Sequence, residues 1–134
     1  MNITKLLKKY REWLKLTKKE ETYLRKKLRD KLDQVFSVWI RTRDKGKWCI
    51  TCNWPIQHNC HWIDRAWYSH RREETNCRWW CVNCNTYRQE EHKILFTIHQ
   101  TKSYWQEWVD NQIFNRHKKK PSIQYLLDMI KKYS

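Results

Sequence analysis

The chain has 134 residues, enough for one domain with a small appendage. Its 29 basic and 14 acidic side chains leave a formal charge of +15, which on so short a chain points to a polyanionic partner, nucleic acid first and a membrane surface second. No run approaches the roughly 18 apolar residues that span a bilayer. The N-terminus MNITKLLKKYREWLKL interrupts its apolar pattern with charge, unlike a secretory leader, so an intracellular protein is the expectation. Without such a leader, six cysteines suggest metal or reactive thiols rather than disulfides.

Residues 1–48 hold 16 basic and 6 acidic side chains and no cysteine. Leu6, Leu7, Tyr10 and Leu14 recur at helical spacing. Thr17 with Glu20 matches a capping box and predicts a second helix, with Leu24, Leu28, Leu32, Val35, Phe36, Trp39 and Ile40 inward. That helix should stop near Asp44-Lys45-Gly46, at the only glycine. Its basic side chains are expected to face solvent, and they could also face phosphates or a second subunit.

The six cysteines lie between residues 49 and 84. Cys49-Ile50-Thr51-Cys52 and Cys81-Val82-Asn83-Cys84 are C-x2-C turns with 28 residues between them. Each such turn aims two thiolates at one ion, so the four cysteines predict a closed tetrahedral Zn2+ site with a structural task. Cys60 and Cys77 remain, and read as small buried side chains on neighbouring strands. The intervening loop carries His61, Asn76 and many basic and aromatic residues, and Asn85 follows the second turn. Towards the C-terminus, Tyr104, Trp105, Trp108, Val109 and Ile113 predict one helix. Lys118-Lys119-Lys120-Pro121 breaks it, and Ser122 caps a last helix with Ile123, Leu126, Leu127 and Ile130 inward.

A histidine followed by two asparagines, nested in a four-cysteine staple, resembles the HNH or ββα-metal nucleases. VWIRTRD, CITC, CHWIDR, REETN before CRWWCVNCN, and NRHKKKPSIQYLLDMIKKY together resemble the lambdoid phage Rap (NinG) recombination endonucleases, over roughly residues 28–133. The likeness to phage endonuclease VII is more distant.

The resemblance implies an α+β, mainly helical fold. A basic helical region would cover 1–48, a zinc-bound HNH ββα-metal core 49–100, and C-terminal helices 101–134. It implies a structure-specific endonuclease for Holliday junctions and D-loops, acting as a homodimer without a membrane, in the bacterial host cytoplasm of a phage or prophage. Carried over by position, it makes Cys49, Cys52, Cys81 and Cys84 the Zn2+ ligands, His61 the general base, Asn76 the central asparagine of the motif, and Asn85 a ligand of a catalytic Mg2+ or Mn2+. Basic side chains including Arg65, Arg71, Arg72, Arg78 and Lys118, Lys119 and Lys120 would hold DNA phosphates without reading bases. One departure stands out. Endonuclease VII has an aspartate before its base histidine, where this chain has Cys60, and a thiol suits Mg2+ poorly. Asp64 is the nearest carboxylate in sequence to replace it. Two other readings are an HNH enzyme that cuts plain duplex and a non-enzymatic zinc module that only binds nucleic acid.

Overall fold

The structure, a computed structural model, describes residues 1–50, 52–56, 58–81, 83–84 and 89–134, with the backbone alone at Trp79 and Gln89. It is a mainly helical α+β arrangement that divides into two compact units, one of residues 1–39 with 121–134, the other of residues 40–120. Among the described residues no helix is long and apolar enough to cross a membrane.

The first unit is built by α1 (Ile3–Arg11), most of α2 (Lys18–Arg43) and a C-terminal helix (Ile123–Tyr133). Asn2 caps α1 by accepting from the Thr4 amide at 2.9 Å. The helix stops three residues before Leu14, because Trp13 takes a left-handed φ of 58°, so Leu14 is exposed rather than inward. The capping box forms reciprocally. The Glu20 amide donates to Thr17 Oγ1 at 3.2 Å and the Thr17 amide to Glu20 Oε2 at 2.9 Å. The Thr17 amide, and then Lys9 at 2.9 Å, hold the Glu20 carboxyl below its usual range.

Leu24, Leu28, Leu32, Phe36 and Ile40 are all buried, with Val35 and Trp39 partly so. Their spacing of four turns the stripe about 40° per step around the helix, because four residues overshoot a 3.6-residue turn. Within the first unit Leu126 is buried as well, and the stripe meets Tyr133, whose ring lies edge-on to Phe36 at 4.9 Å and to Trp39 at 5.2 Å. Ser122 caps the last helix through the Tyr125 amide, as its sequence predicts. α2 ends at Arg43, and Gly46 follows with φ 79°, the left-handed turn that glycine adopts without strain.

In the second unit the first cysteine turn is followed by an antiparallel ribbon of β1 (His58–His61) and β2 (Cys77–Trp80). The register pairs Cys60 with Arg78 and His61 with Cys77. Both leftover thiols are therefore buried on neighbouring strands, as expected, but on opposite faces of the ribbon. After the second cysteine turn come α3 (Gln89–Tyr104) and α4 (Gln106–Phe114), and the helix Ile123–Tyr133 is α5. The single helix expected through Tyr104 and Trp105 is instead two. Trp105 adopts φ 69°, and no glycine or proline marks the break. The break lets Trp108 lie tilted against Tyr104 at 4.3 Å and stack on Trp62 at 6.1 Å. The core of this unit gathers Trp62, Ile63, Trp80, Phe96 and Val109 around the cysteines.

Candidate metal centre and adjoining cleft

The two C-x2-C turns meet. The sulfurs of Cys49, Cys52, Cys81 and Cys84 lie within 4.8 Å of one another, with Cys49 and Cys84 3.5 Å apart and Cys52 and Cys81 3.4 Å apart. A tetrahedral ion with bonds of about 2.3 Å separates its sulfurs by about 3.8 Å, whereas a disulfide needs about 2.05 Å. The cluster fits a structural zinc ion. Local geometry supports it: the Cys84 amide donates to Cys81 Sγ at 3.3 Å, and Asn53, directly after Cys52, takes φ 60° to turn the first pair inward. Asparagine tolerates that conformation better than most residues.

The ribbon and α3 shape a cleft of 240 Å³ lined by Asn59, Cys60, His61, Asp64, Arg65, Trp80 and Lys93. His61 ends β1, and its Nε2 lies 2.8 Å from the Arg71 carbonyl. Since a carbonyl only accepts, Nε2 carries a proton, and in the neutral ring the basic lone pair is then on Nδ1. Two buried polar atoms of lining residues, Asn59 Oδ1 and Trp80 Nε1, have no hydrogen-bond partner among the described residues, which is uncommon for buried groups.

Asn76 does not line the cleft. It is 1 % exposed, and its side chain closes the loop that follows His61. Oδ1 accepts from the Ile63 amide at 2.7 Å, and Nδ2 donates to the Ile63 and His70 carbonyls at 3.0 and 2.9 Å. The central asparagine is thus a brace for the loop that carries Arg71, and so for the His61 ring. We expect Asn76→Ala to cost about 3 kcal/mol of unfolding free energy, since it strands buried backbone groups. Denaturant titration measures this, and a change below 1 kcal/mol would remove the brace assignment.

The base carriers separate into distinct settings. Arg65 is exposed at the cleft, and Arg71 is half-buried beside the Tyr68 ring. Arg72 is 3 % exposed and does not present itself to a phosphate. Arg78 lines a different pocket with Lys47, Trp48 and His99. Burial, and then Arg78, push the His99 imidazole below its ordinary pKa. Lys118, Lys119 and Lys120 are exposed, and their segment is tied to the zinc loop. The Ser69 amide donates to the His117 carbonyl at 3.1 Å, and Arg116 and Lys118 lie over the Trp67 ring at 4.5 and 4.8 Å. His70, beside Arg71 in the same loop, is buried, 2.8 Å from Ser69 Oγ and 3.0 Å from Gln112 Oε1. Asn85 lies outside the described residues.

Among the described residues the cleft offers few donors for a catalytic Mg2+ or Mn2+. Burial pushes the Cys60 thiol up to about 12, so it stays protonated and offers no anionic ligand. Among the described residues that line the cleft the one carboxylate is Asp64, and its Oδ1 is 2.6 Å from Lys93 Nζ. Among the described residues the four cysteines are the only clustered ligand set of His, Cys, Asp or Glu. These residues by themselves do not make a site for a hard divalent ion.

Sequence reasoning missed two residues. Arg43, at the end of α2, donates to the Glu74 and Cys77 carbonyls, both at 2.7 Å, and pins the start of β2. Lys93, on α3, reaches back to the His61 and Trp62 carbonyls. Arg43 stands in the VWIRTRD stretch that carries part of the resemblance, whereas Lys93 has no signal in the sequence.

Comparison with curated proteins and with solved structures gives no match. The family model described as Bacteriophage Lambda NinG protein matches residues 4–134, nearly the whole chain, and the protein belongs to that family.

Proposed function

We propose that this protein is a structure-specific endonuclease that hydrolyses branched DNA, Holliday junctions and D-loops included, in phage recombination. Family membership supports the phage recombination-related role. The observation that carries the chemistry is the His61 ring, held through Nε2 by the Arg71 carbonyl at the edge of a basic cleft. A neutral imidazole fixed in that tautomer is equipped to take a proton on Nδ1.

The reaction follows from these groups. A water oxygen forms a bond to phosphorus while the bond to the 3′ oxygen breaks. The water's proton passes to His61 Nδ1, and the departing 3′ oxygen takes a proton from solvent. The products carry a 5′ phosphate and a 3′ hydroxyl. Arg65, Arg71 and the tethered Lys118–Lys120 segment hold neighbouring phosphates. They can do so without reading bases, which suits recognition of shape. Two cuts on one junction call for two such clefts, and a homodimer supplies them.

The test is a side-by-side incubation with a four-way junction and a linear duplex of matched sequence, in buffer containing Mg2+. Paired cuts confined to the junction are expected. Equal cutting of both substrates assigns plain duplex as the target. Binding without any cutting makes the protein a zinc module for nucleic acid and removes the enzymatic reading.

A further inference from the structure

The cleft that holds His61 contains a cation from the chain itself. Lys93 Nζ donates to the His61 carbonyl at 2.7 Å, the Trp62 carbonyl at 3.0 Å and Asp64 Oδ1 at 2.6 Å. The three partners differ in kind. The two carbonyls belong to the end of β1 and to the residue after it, and they fix where the ammonium stands. Asp64 is an anion on an exposed part of the loop, its side chain 73 % accessible against 33 % for Lys93. A solvated carboxylate in an exposed ion pair is weakly held. An ammonium has three protons to donate, and here two go to fixed backbone and one to an exchangeable anion. That third place lies in the same cleft as the ring that would activate water.

We propose that Lys93 is a catalytic residue. Its ammonium exchanges the Asp64 carboxylate for a non-bridging oxygen of the scissile phosphate, and it offsets the negative charge that builds there as water attacks. The proposal rests on the nuclease reading above. Asp64 then marks the anion position in the DNA-free protein rather than holding a metal. This accounts for two features together: the carboxylate of the cleft is engaged by a lysine, and the position before the base histidine carries a protonated thiol instead of a metal-ligating acid. No atom is gained or lost in the exchange. The anion on Lys93 is replaced by another, and Asp64 turns to solvent. Stabilisation of developing charge by a preorganised donor is worth most where water is excluded, and the backbone carbonyls preorganise this one.

The experiment compares zinc-loaded wild type, Lys93→Met, Lys93→Arg and Asp64→Asn in single-turnover cleavage of a four-way junction. Junction affinity is measured for each at several salt concentrations, and the melting temperature and zinc content are recorded for each. Lys93→Met is expected to slow cleavage by about 100-fold, the scale seen when one charge-stabilising donor is removed. Its salt dependence of binding should fall by about one ion equivalent, because one phosphate contact is gone. Lys93→Arg keeps the charge and should lose much less. Asp64→Asn removes the competing anion and should bind the junction several-fold more tightly.

The outcomes separate. If wild type cuts no DNA, the nuclease reading fails and Lys93 falls with it. If wild type cuts and Lys93→Met cuts at the same rate, only the Lys93 proposal is overturned. A Lys93 that merely braces the loop would slow cleavage when replaced, yet leave the salt dependence unchanged and give Asp64→Asn wild-type affinity, and that pattern overturns the proposal too. Loss of cleavage in Asp64→Asn with junction binding intact makes Asp64 a metal ligand, with the same consequence. Should Lys93→Met fail to fold, Lys93→Arg and Asp64→Asn still decide: the proposal requires a partly active first variant and a tighter-binding second.

Discussion

Zinc removal is expected to unfold the unit of residues 40–120, and Cys81→Ser is expected to abolish soluble folded protein. Little else holds the first cysteine turn. Between residues 48 and 56 the only strand-type pairing among the described residues is the isolated bridge of Trp48 with Pro55, supplemented by the Cys49 amide donating to the Trp54 carbonyl at 2.8 Å. Yet Cys49, Cys81 and Cys84 are buried among Trp80, Phe96 and Trp62, in the centre of that unit's core. Without the ion, four thiols or thiolates must pack within 4.8 Å of one another, with the Cys84 amide on Cys81 Sγ as slight compensation. The free energy of a structural zinc site, about 10–16 kcal/mol in small modules, exceeds or equals the whole stability of an ordinary domain. The chain cannot replace it by other contacts. Because zinc binds thiolates, the stabilisation must also weaken as pH falls and protons compete for sulfur. Near-ultraviolet circular dichroism during chelator titration reads the tryptophans of this core directly. If Cys81→Ser melts like the wild type and keeps one zinc per chain, the four-cysteine assignment is wrong.

The staple was legible in the sequence because each C-x2-C turn is local and its chemistry has few alternatives. The α2 stripe was legible for the same reason: its pattern from Leu24 to Ile40 repeats along one element, and the Thr17–Glu20 cap and Gly46 stop are short-range devices. What the sequence could not show are contacts decided by packing across the chain. His70 stands in a run of arginines, and only the approach of Gln112, 42 residues away, makes it a buried polar group. Arg72 shares that run and is also withdrawn from solvent. Trp105 breaks a helix without a breaker residue, because placing Trp108 between Tyr104 and Trp62 outweighs a strained backbone angle. The Lys93–Asp64 pair spans 29 positions and obeys no periodicity. The order of His61 and Asn76 was readable, but the division of labour between them was not. One has its ring held through Nε2 by the Arg71 carbonyl, and the other braces the loop that supplies that carbonyl.

That division makes the second prediction sharp. His61→Ala is expected to lower junction cleavage by about 10²–10⁴-fold, the usual contribution of a positioned base, while junction affinity stays near wild type. Affinity should survive because the charges proposed to hold phosphates are elsewhere, on Arg65, Arg71 and the Lys118–Lys120 segment. The fold should survive because the loop loses the His61 hydrogen bond at Arg71 but keeps the three made by Asn76, so the cost is about 1 kcal/mol for that bond. The pH profile gives a second readout. A base must be neutral, so wild-type cleavage declines on acidification as the imidazole is protonated, and the variant's residual rate lacks that limb. Lys93→Met, by contrast, keeps the base and should keep the acid limb while its rate falls. The two side chains of the cleft can thus be told apart by the shape of the profile as well as by the size of the loss. His61→Ala with full activity and an unchanged profile would place the base on another residue, even if every other part of the cleft behaved as expected.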